Sequence, residues 1–506
     1  MRSARNLRIV IVGAGFGGIG AAIELRKHGF RDVTVLDRSA AFGGTWYHNT
    51  YPGVACDVPS HLYSFSFAQR RHWSRICSPQ AEILDYLREV AREFGVDGLV
   101  VPGTEVTSCT WDDGARLWTV ASADGRSWEA DAVVVATGQL HRTAYPVVEG
   151  RETFEGHSFH SAEWDHGYDL RGKRVAVVGT GASAVQFVPE IAGEVDRLVV
   201  FQRTGNWFLP RRNRPYPRLF KAIVRWVPGV QWLRRRFIFN YCELLTLMIR
   251  HPRTWGRIGH LRSWLFMRRQ LRDPELRRKV WPDYTFGCKR ILFSSNFLPA
   301  LQRPNVELVT DPIARITPKG VVTADGAEHE VDCIVYGTGF RTTDFMFPME
   351  ISGMGGGTLR QAWAEGPHAH LGIAVPGFPS LFLMYGPNTN TSAGSIILYH
   401  EAQAAYLRQA LELVRDRGAA AIEVRREVEE ASDREVQTGF AGTAWTNCSS
   451  WYRDESGRVV TNWPGYMREY VERTRVLDSA EFTLVPLPER VPIAPTGSGR
   501  GGGCRG

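Results

Sequence analysis

Two glycine-rich turns carry the residues whose types and spacing point most directly to chemistry. They are Gly13-Ala14-Gly15-Phe16-Gly17-Gly18 and Gly179-Thr180-Gly181-Ala182-Ser183-Ala184, and glycine at these spacings lets the backbone turn tightly and approach a pyrophosphate. Asp37 lies 24 residues after Gly13, and Arg203 lies 24 residues after Gly179. A carboxylate accepts hydrogen bonds from a ribose diol, whereas a guanidinium pairs with a 2′-phosphate that a carboxylate would repel. The sequence therefore predicts FAD at the first turn and NADPH at the second.

The elements that position these turns are two strand–helix–strand units. An apolar run over residues 7–12 precedes the first turn, and a helical pattern and a second strand follow it. Residues 174–178 and 198–201 repeat the arrangement around the second turn. Two further predicted strands end at Gly138 and Gly339, where the chain would cross between the folds. These patterns predict an α/β fold class with two Rossmann-like dinucleotide-binding domains, for FAD and NADP, and a helical insert.

The same landmarks predict where the domains begin and end. Residues between the second fold and its closing strand are rich in Trp, Arg and Leu and have a helical pattern. The C-terminal Gly/Arg/Ser tail has a composition typical of disorder. The predicted units are the first part of the FAD-binding domain (1–145), the first part of the NADP-binding domain (146–206), the helical insert (207–285), the second part of the NADP-binding domain (286–339), the C-terminal part of the FAD-binding domain (340–494) and the disordered tail (495–506).

Composition narrows the class of protein. A chain of 506 residues with 43% hydrophobic and 23% charged residues is ordinary for a globular protein of two or more domains, and no apolar run reaches the roughly 18–20 residues of a membrane span. The N-terminus resembles a signal peptide, but the glycine-rich turn inside its apolar run favours a buried strand, so we expect a cytoplasmic protein. The eight cysteines include no Cys-x-x-Cys pair, which argues against a zinc site, a disulfide framework and a dithiol flavoreductase. All eight are predicted to be reduced and mostly buried, and no metal site is expected.

The net charge of +8 comes from one segment. Residues 211–279 hold 19 Lys and Arg residues and three acidic residues, a balance of +16, so the rest of the chain carries −8. Within this segment, residues 234–250 combine arginines with an apolar stretch, which could form a helix in peripheral contact with a membrane. The favoured interpretation is a buried helical hairpin over the active site with its arginines in solvent, because short apolar runs are more often core. Nucleic-acid binding is not expected, since no recognition motif accompanies the charge.

A longer motif narrows the chemistry. Residues 154–165 read Phe-Glu-Gly-His-Ser-Phe-His-Ser-Ala-Glu-Trp-Asp, which resembles the F-x-G-x-x-x-H-x-x-x-W-[P/D] fingerprint of Baeyer–Villiger monooxygenases and stands, as in that family, just ahead of the second nucleotide fold. The motifs that resemble the family extend from residue 9 to about residue 465. They are specific for the family but not for a substrate. The other motifs similar to the family are Gly43-Gly44-Thr45-Trp46, Tyr51-Pro52-Gly53, Asp57, Phe201-Gln202-Arg203-Thr204, Gly287-Cys288-Lys289-Arg290, Gly386-Pro387-Asn388 and Ser450-Trp451-Tyr452.

The resemblance implies roles for the residues at matching positions. Arg290 matches the active-site arginine, and Asp57 matches the carboxylate that positions it. Trp451 matches a mobile aromatic residue that packs on bound NADP, while His160 is expected to be a structural hinge residue and not a proton donor. Together with the two turns, this gives the predicted cofactor-binding residues Gly13, Gly15, Phe16, Gly18, Asp37, Arg38, Thr45, Trp46, Asp57, Tyr63 and Gly138 on the FAD side, and Gly179, Thr180, Gly181, Ala182, Ser183, Ala184, Gln186, Arg203, Thr204, Lys289, Arg290 and Trp451 beside NADP and the active site.

The activity that the resemblance implies is insertion of one oxygen atom from O₂ next to a ketone carbonyl, giving an ester or lactone at the expense of NADPH. Reduced flavin would add O₂ to form a C4a-peroxide that must stay anionic, and Arg290 suits this because a guanidinium does not lose its proton. The expected partners are a small-molecule ketone and O₂. Two alternatives stay open: oxygenation of an amine or sulfide, which does not require the pair of Arg290 and Asp57, and an uncoupled NADPH oxidase or cofactor-binding redox sensor.

Overall fold

The chain folds around two parallel β-sheets. The computed structural model describes residues 6–211, 213–391 and 393–488. In the first sheet, Arg8–Val12 pairs in parallel with Ala132–Val135 on one side and with Asp32–Leu36 on the other. The order across this sheet is Leu381–Leu383, Ala132–Val135, Arg8–Val12, Asp32–Leu36 and Val100–Val101.

The second sheet repeats this arrangement around the second turn. Arg174–Val178 lies at its centre, in parallel with Arg197–Phe201 and Cys333–Tyr336. The order is Val306–Val309, Arg197–Phe201, Arg174–Val178, Cys333–Tyr336 and His157–His160. The central strands consist largely of buried Val, Ile, Leu and Ala, as parallel sheets covered on both faces require. The predicted fold class of two Rossmann-like domains with a helical insert is confirmed.

Close packing at the first turn requires glycine at two positions. Gly13 has a φ of +107°, and a Cβ there would lie 2.5 Å from the carbonyl oxygen of Ala136. A Cβ at Gly18 would lie 1.8 Å from the carbonyl oxygen of Gly13. Helix α1 (Phe16–Lys27) can therefore approach the strand before it only because both positions lack a side chain.

Smaller sheets and helices surround these two folds. A four-stranded sheet has the order Glu350–Ser352, Val106–Asp112, Leu117–Ser122 and Ser127–Ala130, and a three-stranded antiparallel sheet contains Ile313–Thr317, Gly320–Thr323 and Glu328–Glu330. Two-stranded pairs join Phe208–Leu209 to Leu292–Phe293 and Ala421–Val424 to Phe482–Val485. After α1, the helices of the described residues are α2 (Thr45–His48), α3 (Gln80–Glu93), α4 (Ala184–Ile191), α5 (Arg218–Trp226), α6 (Val230–Arg250), α7 (Trp255–Gln270), α8 (Pro274–Val280), α9 (Phe297–Ala300), α10 (Leu359–Ala362), α11 (Ile396–Arg417), α12 (Arg426–Gly439) and α13 (Met467–Arg473).

Helices α5 to α8 form the predicted insert, in which α6 packs against α7. One face of α6 is buried through Ile238, Cys242 and Leu245, so the expected buried hairpin is correct for this face. The expectation is wrong for other side chains of α6: Trp232 and Phe237 are 62% and 64% exposed, because no described residue covers them. Within the described ranges, no helix has the length and apolar character to cross a bilayer.

A disulfide joins Cys288 to Cys448, whose Cα atoms are 6.1 Å apart. The prediction that all eight cysteines are reduced is therefore wrong for these two. The cysteines are 160 residues apart in the chain, so no local spacing pattern could signal their pairing. The other described cysteines are free and buried, as predicted: Cys56, Cys77, Cys109, Cys242 and Cys333. Cys504 and the predicted disordered tail, 495–506, lie outside the described residues.

Candidate active site

A large cavity lies where the carboxyl ends of the two parallel sheets face each other. Its volume is about 1690 Å³, larger than the roughly 300–1,000 Å³ typical of a pocket for one small ligand. Residues 13–17 of the first turn and 179–183 of the second turn both line it. Helices α1 and α4 begin within these turns, and a helix N-terminus attracts the negative charge of a pyrophosphate. The cavity therefore fits two dinucleotides.

The FAD side of the cavity is built around Asp37. Asp37 is 8% exposed, and its carboxylate accepts hydrogen bonds from the backbone N–H groups of Ala14, at 2.7 Å, and Ser39, at 2.8 Å. Asp37 thus holds the turn in place as well as lining the cavity. Nearby, Trp46 Nε1 donates to the Tyr63 hydroxyl at 3.1 Å. The other predicted FAD-side residues that line the cavity are Gly13, Gly15, Phe16, Arg38, Thr45, Asp57 and Gly138.

Two predicted binding residues, Gly18 and Ala184, do not line the cavity. Gly18 lies against the Gly13 carbonyl, and Ala184 is completely buried at the start of α4. Both positions permit close packing of helix on strand, so they shape the turns without facing the cavity. The second-turn residues that do line it are Gly179, Thr180, Gly181, Ala182 and Ser183.

Gln186 connects the two nucleotide folds. Its amide nitrogen donates to the Ala55 carbonyl at 2.9 Å, and its amide oxygen accepts from the Ala55 N–H at 3.3 Å and from the Tyr51 hydroxyl at 3.2 Å. Gln186 lines the cavity as predicted, but these bonds already engage both ends of its amide. Its side chain therefore fixes the second turn against the loop that leads to Asp57.

Two cations face the cavity beside the second turn. Arg203 and Lys289 both line it, as does Thr204, and no carboxylate forms an ion pair with either cation within the described part of the chain. Burial lowers the pKa of Lys289, and the charge of Arg203 lowers it further. The charge of Asp283 offsets this lowering in part, but it forms no direct ion pair with Lys289. Two cations that repel each other and lack an ion-pair partner in the described residues are suited to a ligand with a doubly charged phosphate.

Arg290 and Asp57 form an ion pair inside the cavity. The Arg290 guanidinium donates from Nη2 to Asp57 Oδ2, and both residues line the cavity. The side chain of Arg290 is 41% exposed, and because it lines the cavity, exposed surface of this side chain faces the cavity. Burial opposes the charge of Asp57, but Arg290 outweighs it and lowers the pKa of the carboxyl group. The charge of Asp57 raises the pKa of Arg290, so both groups stay ionised at neutral pH.

Two cavity residues near this pair escaped the sequence analysis. Arg211 Nη2 donates to the Cys56 carbonyl at 2.7 Å, and its charge also lowers the pKa of Asp57. In the sequence, Arg211 counted only as part of the basic segment, so this role was not predicted. Tyr385 lies directly before the Gly386-Pro387-Asn388 motif, and this position could have indicated that Tyr385 belongs to the site. Its hydroxyl donates to Asn390 Oδ1 at 2.8 Å, and burial raises its pKa.

Trp451 lines the cavity and is 38% exposed. The Thr342 hydroxyl donates to the Trp451 carbonyl at 3.2 Å. The disulfide connects Cys448, three residues before Trp451, to Cys288, which directly precedes Lys289. Neither cysteine lines the cavity. The disulfide therefore connects two segments of the site without facing a bound cofactor.

The fingerprint residues His160 and Trp164 lie outside the cavity lining. His160 is completely buried, its Nδ1 accepts from the Ala162 N–H at 3.1 Å, and burial lowers its pKa. Trp164 packs edge-on against Phe159, with ring centres 5.1 Å apart. Their positions agree with structural roles and not with proton transfer. No cluster of His, Cys, Asp and Glu capable of holding a metal occurs in the described residues.

Two nucleotide folds that share one cavity, with a carboxylate at one fold and paired cations at the other, define a flavoprotein that uses FAD and NADP. Residues 10–218 match the pyridine nucleotide-disulphide oxidoreductase family. The chain is 42% identical to a Baeyer-Villiger monooxygenase of Streptomyces coelicolor, over 96% of this chain and 94% of that protein. It is 40% identical to a Baeyer-Villiger monooxygenase of Pseudomonas aeruginosa, over 96% and 93% of the two chains.

Solved structures show the same similarity. The closed crystal structure of cyclohexanone monooxygenase has a TM-score of 0.85 and 30% identity, covering 96% of this chain and 100% of that one. An oxidized steroid monooxygenase bound to NADP has a TM-score of 0.84 and 30% identity, covering 95% and 99%. The chain belongs to the Baeyer–Villiger monooxygenase family. It is an NADPH-dependent flavin monooxygenase with FAD and NADP as its cofactors.

Proposed function

We propose that this enzyme inserts one oxygen atom from O₂ next to the carbonyl of a small-molecule ketone and releases an ester or lactone. The observation that carries the proposal is the ion pair of Arg290 and Asp57 inside the cavity. When oxygen is added to a ketone, negative charge develops on the carbonyl oxygen, and a fixed cation stabilises that charge. Oxygenation of an amine or sulfide has no such requirement, so the pair favours the ketone.

The glycine-rich turns provide the cofactor sites in this proposal. Residues 13–17 and Asp37 would hold FAD, and residues 179–183 would hold the pyrophosphate of NADPH. Arg203, Thr204 and Lys289 would bind the 2′-phosphate. When bound, the two cofactors supply the electrons that activate O₂, and the protein contributes binding, orientation and electrostatics.

Arg290 is the catalytic residue in this proposal, and Asp57 is its positioning residue. The guanidinium keeps its proton at any pH the enzyme meets, and its raised pKa beside Asp57 strengthens this property. Asp57 fixes the direction in which the guanidinium points, while the remaining N–H donors of Arg290 stay available to the cavity. A cation held this way does not need to reorganise when charge develops on the substrate, which is the source of its catalytic effect.

The test is product analysis with ketones of graded size, supplied with NADPH and O₂. We expect Arg290→Ala to retain FAD and its reduction by NADPH, but to form ester at least about 100-fold more slowly, the typical cost of removing one preorganised charge-stabilising donor. Arg290→Lys should recover part of the rate, since it restores the charge without the planar fork. Arg171→Ala is the matched control, because Arg171 pairs with Asp169 on the surface and should behave as the unchanged enzyme.

Three results would refute the proposal. One is formation of amine N-oxide or sulfoxide with no ester from any ketone. Another is full ester formation by Arg290→Ala. The third is consumption of NADPH matched by hydrogen peroxide with every ketone, which would identify an uncoupled NADPH oxidase.

A further inference from the structure

The outer faces of α5, α6 and α7 carry a concentration of exposed apolar side chains. Scattered exposed apolar residues are ordinary on a protein surface, whereas a cluster marks an interaction site. Among the described residues, 19 large apolar side chains are exposed, and 12 of these lie between residues 219 and 265. We call these 12 residues the insert surface: Leu219, Ile223, Trp226, Val227, Trp232, Leu233, Phe237, Leu244, Trp255, Ile258, Leu261 and Leu265.

The spacing of these residues produces a stripe on each helix. On α5, Leu219, Ile223 and Trp226 are four and three residues apart, the spacing of one helix face. On α6, Leu233 and Phe237 are four residues apart, and Leu244 continues the same face. On α7, Trp255, Ile258, Leu261 and Leu265 repeat at intervals of three and four residues. The three stripes lie on adjacent helices, because α6 packs against both α5 and α7.

Arginines accompany the stripes without acidic partners. In the described part of the chain, the exposed arginines of these helices form no ion pair with a carboxylate. The ion pairs of the insert involve other residues: Arg250, Lys279 and the buried Glu243. Some of these arginines lie against tryptophan rings, with Arg225 5.1 Å from the centre of Trp226. The exposed arginines are Arg218, Arg225, Arg236, Arg257, Arg262, Arg268 and Arg269.

We propose that the insert surface binds the interfacial region of a membrane that contains anionic phospholipids. Tryptophan and leucine side chains would enter the boundary between headgroups and acyl chains, and the arginines would contact lipid phosphates. The positive charge of the segment complements the negative charge of such a leaflet. This places the chain on the membrane without crossing it, which agrees with the absence of a spanning helix among the described residues.

Charge also distinguishes a bilayer from a second copy of the chain. A symmetric dimer through the insert surface would place the arginines of one copy against those of the other, and like charges across an interface weaken association. A nucleic acid would satisfy the arginines but would leave the stripes of Leu and Ile in water. An anionic bilayer satisfies both the apolar and the basic side chains.

The insert surface is continuous with the cavity. Phe237, which belongs to the insert surface, lines the cavity. The exposed Arg262 on α7 lines it as well. A compound dissolved in the bilayer would therefore meet the cavity where α6 and α7 contact the lipid. The enzyme should therefore prefer lipophilic ketones. This preference rests on the proposed function, whereas membrane binding itself does not.

The experiment is flotation of the full-length, FAD-loaded enzyme with vesicles of phosphatidylcholine alone or with added phosphatidylglycerol. We expect binding to the anionic vesicles that decreases as salt is raised. The double variants Trp226→Ser/Trp255→Ser and Arg225→Glu/Arg257→Glu should each lose about tenfold or more in vesicle partition. Retained FAD absorbance shows that each variant is folded.

The matched controls change exposed residues elsewhere. Val476→Ser/Leu487→Ser removes exposed apolar side chains, and Arg315→Glu/Arg417→Glu reverses exposed charges. Both should bind vesicles as the unchanged enzyme does. The proposal is overturned if the insert variants bind like the controls, if the enzyme binds neither vesicle, or if it is a dimer that only the insert variants dissociate.

A second measurement separates this proposal from the proposed function. Turnover of a long-chain 2-alkanone is followed with and without anionic vesicles. Vesicle binding without ester from any ketone would refute the proposed function but not membrane binding by the insert surface. Ester formation by an enzyme that binds no vesicle would refute membrane binding by the insert surface but not the proposed function.

Discussion

Replacement of Arg203 by alanine tests the cofactor assignment most sharply. Arg203 and Lys289 line the cavity, neither has a carboxylate ion-pair partner in the described residues, and the charge of Arg203 lowers the pKa of Lys289. If the 2′-phosphate of NADPH is their shared partner, Arg203→Ala removes a hydrogen bond between charged groups, worth about 1.5–3 kcal/mol. At about 1.4 kcal/mol per factor of ten, the preference for NADPH over NADH should fall about 10- to 100-fold.

The assay is anaerobic reduction of the bound flavin, followed by its absorbance, with NADPH and NADH as separate reductants. Reduction by NADH should be unchanged in Arg203→Ala, since NADH has no 2′-phosphate. Arg197→Ala is the control, because Arg197 begins the strand that leads to Arg203 but pairs with Glu307 on the surface. An equal loss of flavin reduction with NADPH and with NADH, or an unchanged preference for NADPH over NADH, would refute the phosphate site.

Three further predictions concern the second turn, the paired cations and the disulfide. Gly181→Ala should retain the fold and FAD, because the new Cβ would lie 3.8 Å from its nearest neighbour. The Cβ would occupy space next to the pyrophosphate, so NADP⁺ affinity should weaken about tenfold in a binding titration. Unchanged affinity would contradict this prediction. Because the pKa of Lys289 is lowered, NADP⁺ affinity should fall with rising pH earlier than for an ordinary lysine, and Arg203→Ala should move the fall to higher pH; identical pH profiles would refute the coupling. Peptide mapping without reductant should find Cys288 linked to Cys448, and free thiols at both positions would contradict this pairing.

The nucleotide folds could be predicted because their signals are local. The strand at Arg8–Val12, the turn after it and α1 follow one another in sequence, and each obeys a short-range rule of propensity or glycine geometry. The matched positions of Asp37 and Arg203 then identified residues that the structure places on the cavity. Arg290 and Asp57, 233 residues apart, were paired through the family resemblance and not through spacing.

Long-range features could not be predicted in the same way. The pairing of Cys288 with Cys448 and the contact of Gln186 with Ala55 depend on how distant segments come together. Periodicity correctly indicated helices in the insert, but it could not determine which apolar face would find a protein partner. The exposed stripes of α5 and α7 became visible only in three dimensions.

The central claim, insertion of oxygen next to a ketone carbonyl, is tested most directly by isotope labelling. The enzyme is supplied with NADPH, ¹⁸O₂ and a ketone, and the product is examined by mass spectrometry. We expect one ¹⁸O atom in the ester or lactone, in the ring or ester oxygen next to the former carbonyl, and almost none in the product of Arg290→Ala. Unlabelled ketone recovered intact, with NADPH consumed and all the label in hydrogen peroxide, would contradict the claim.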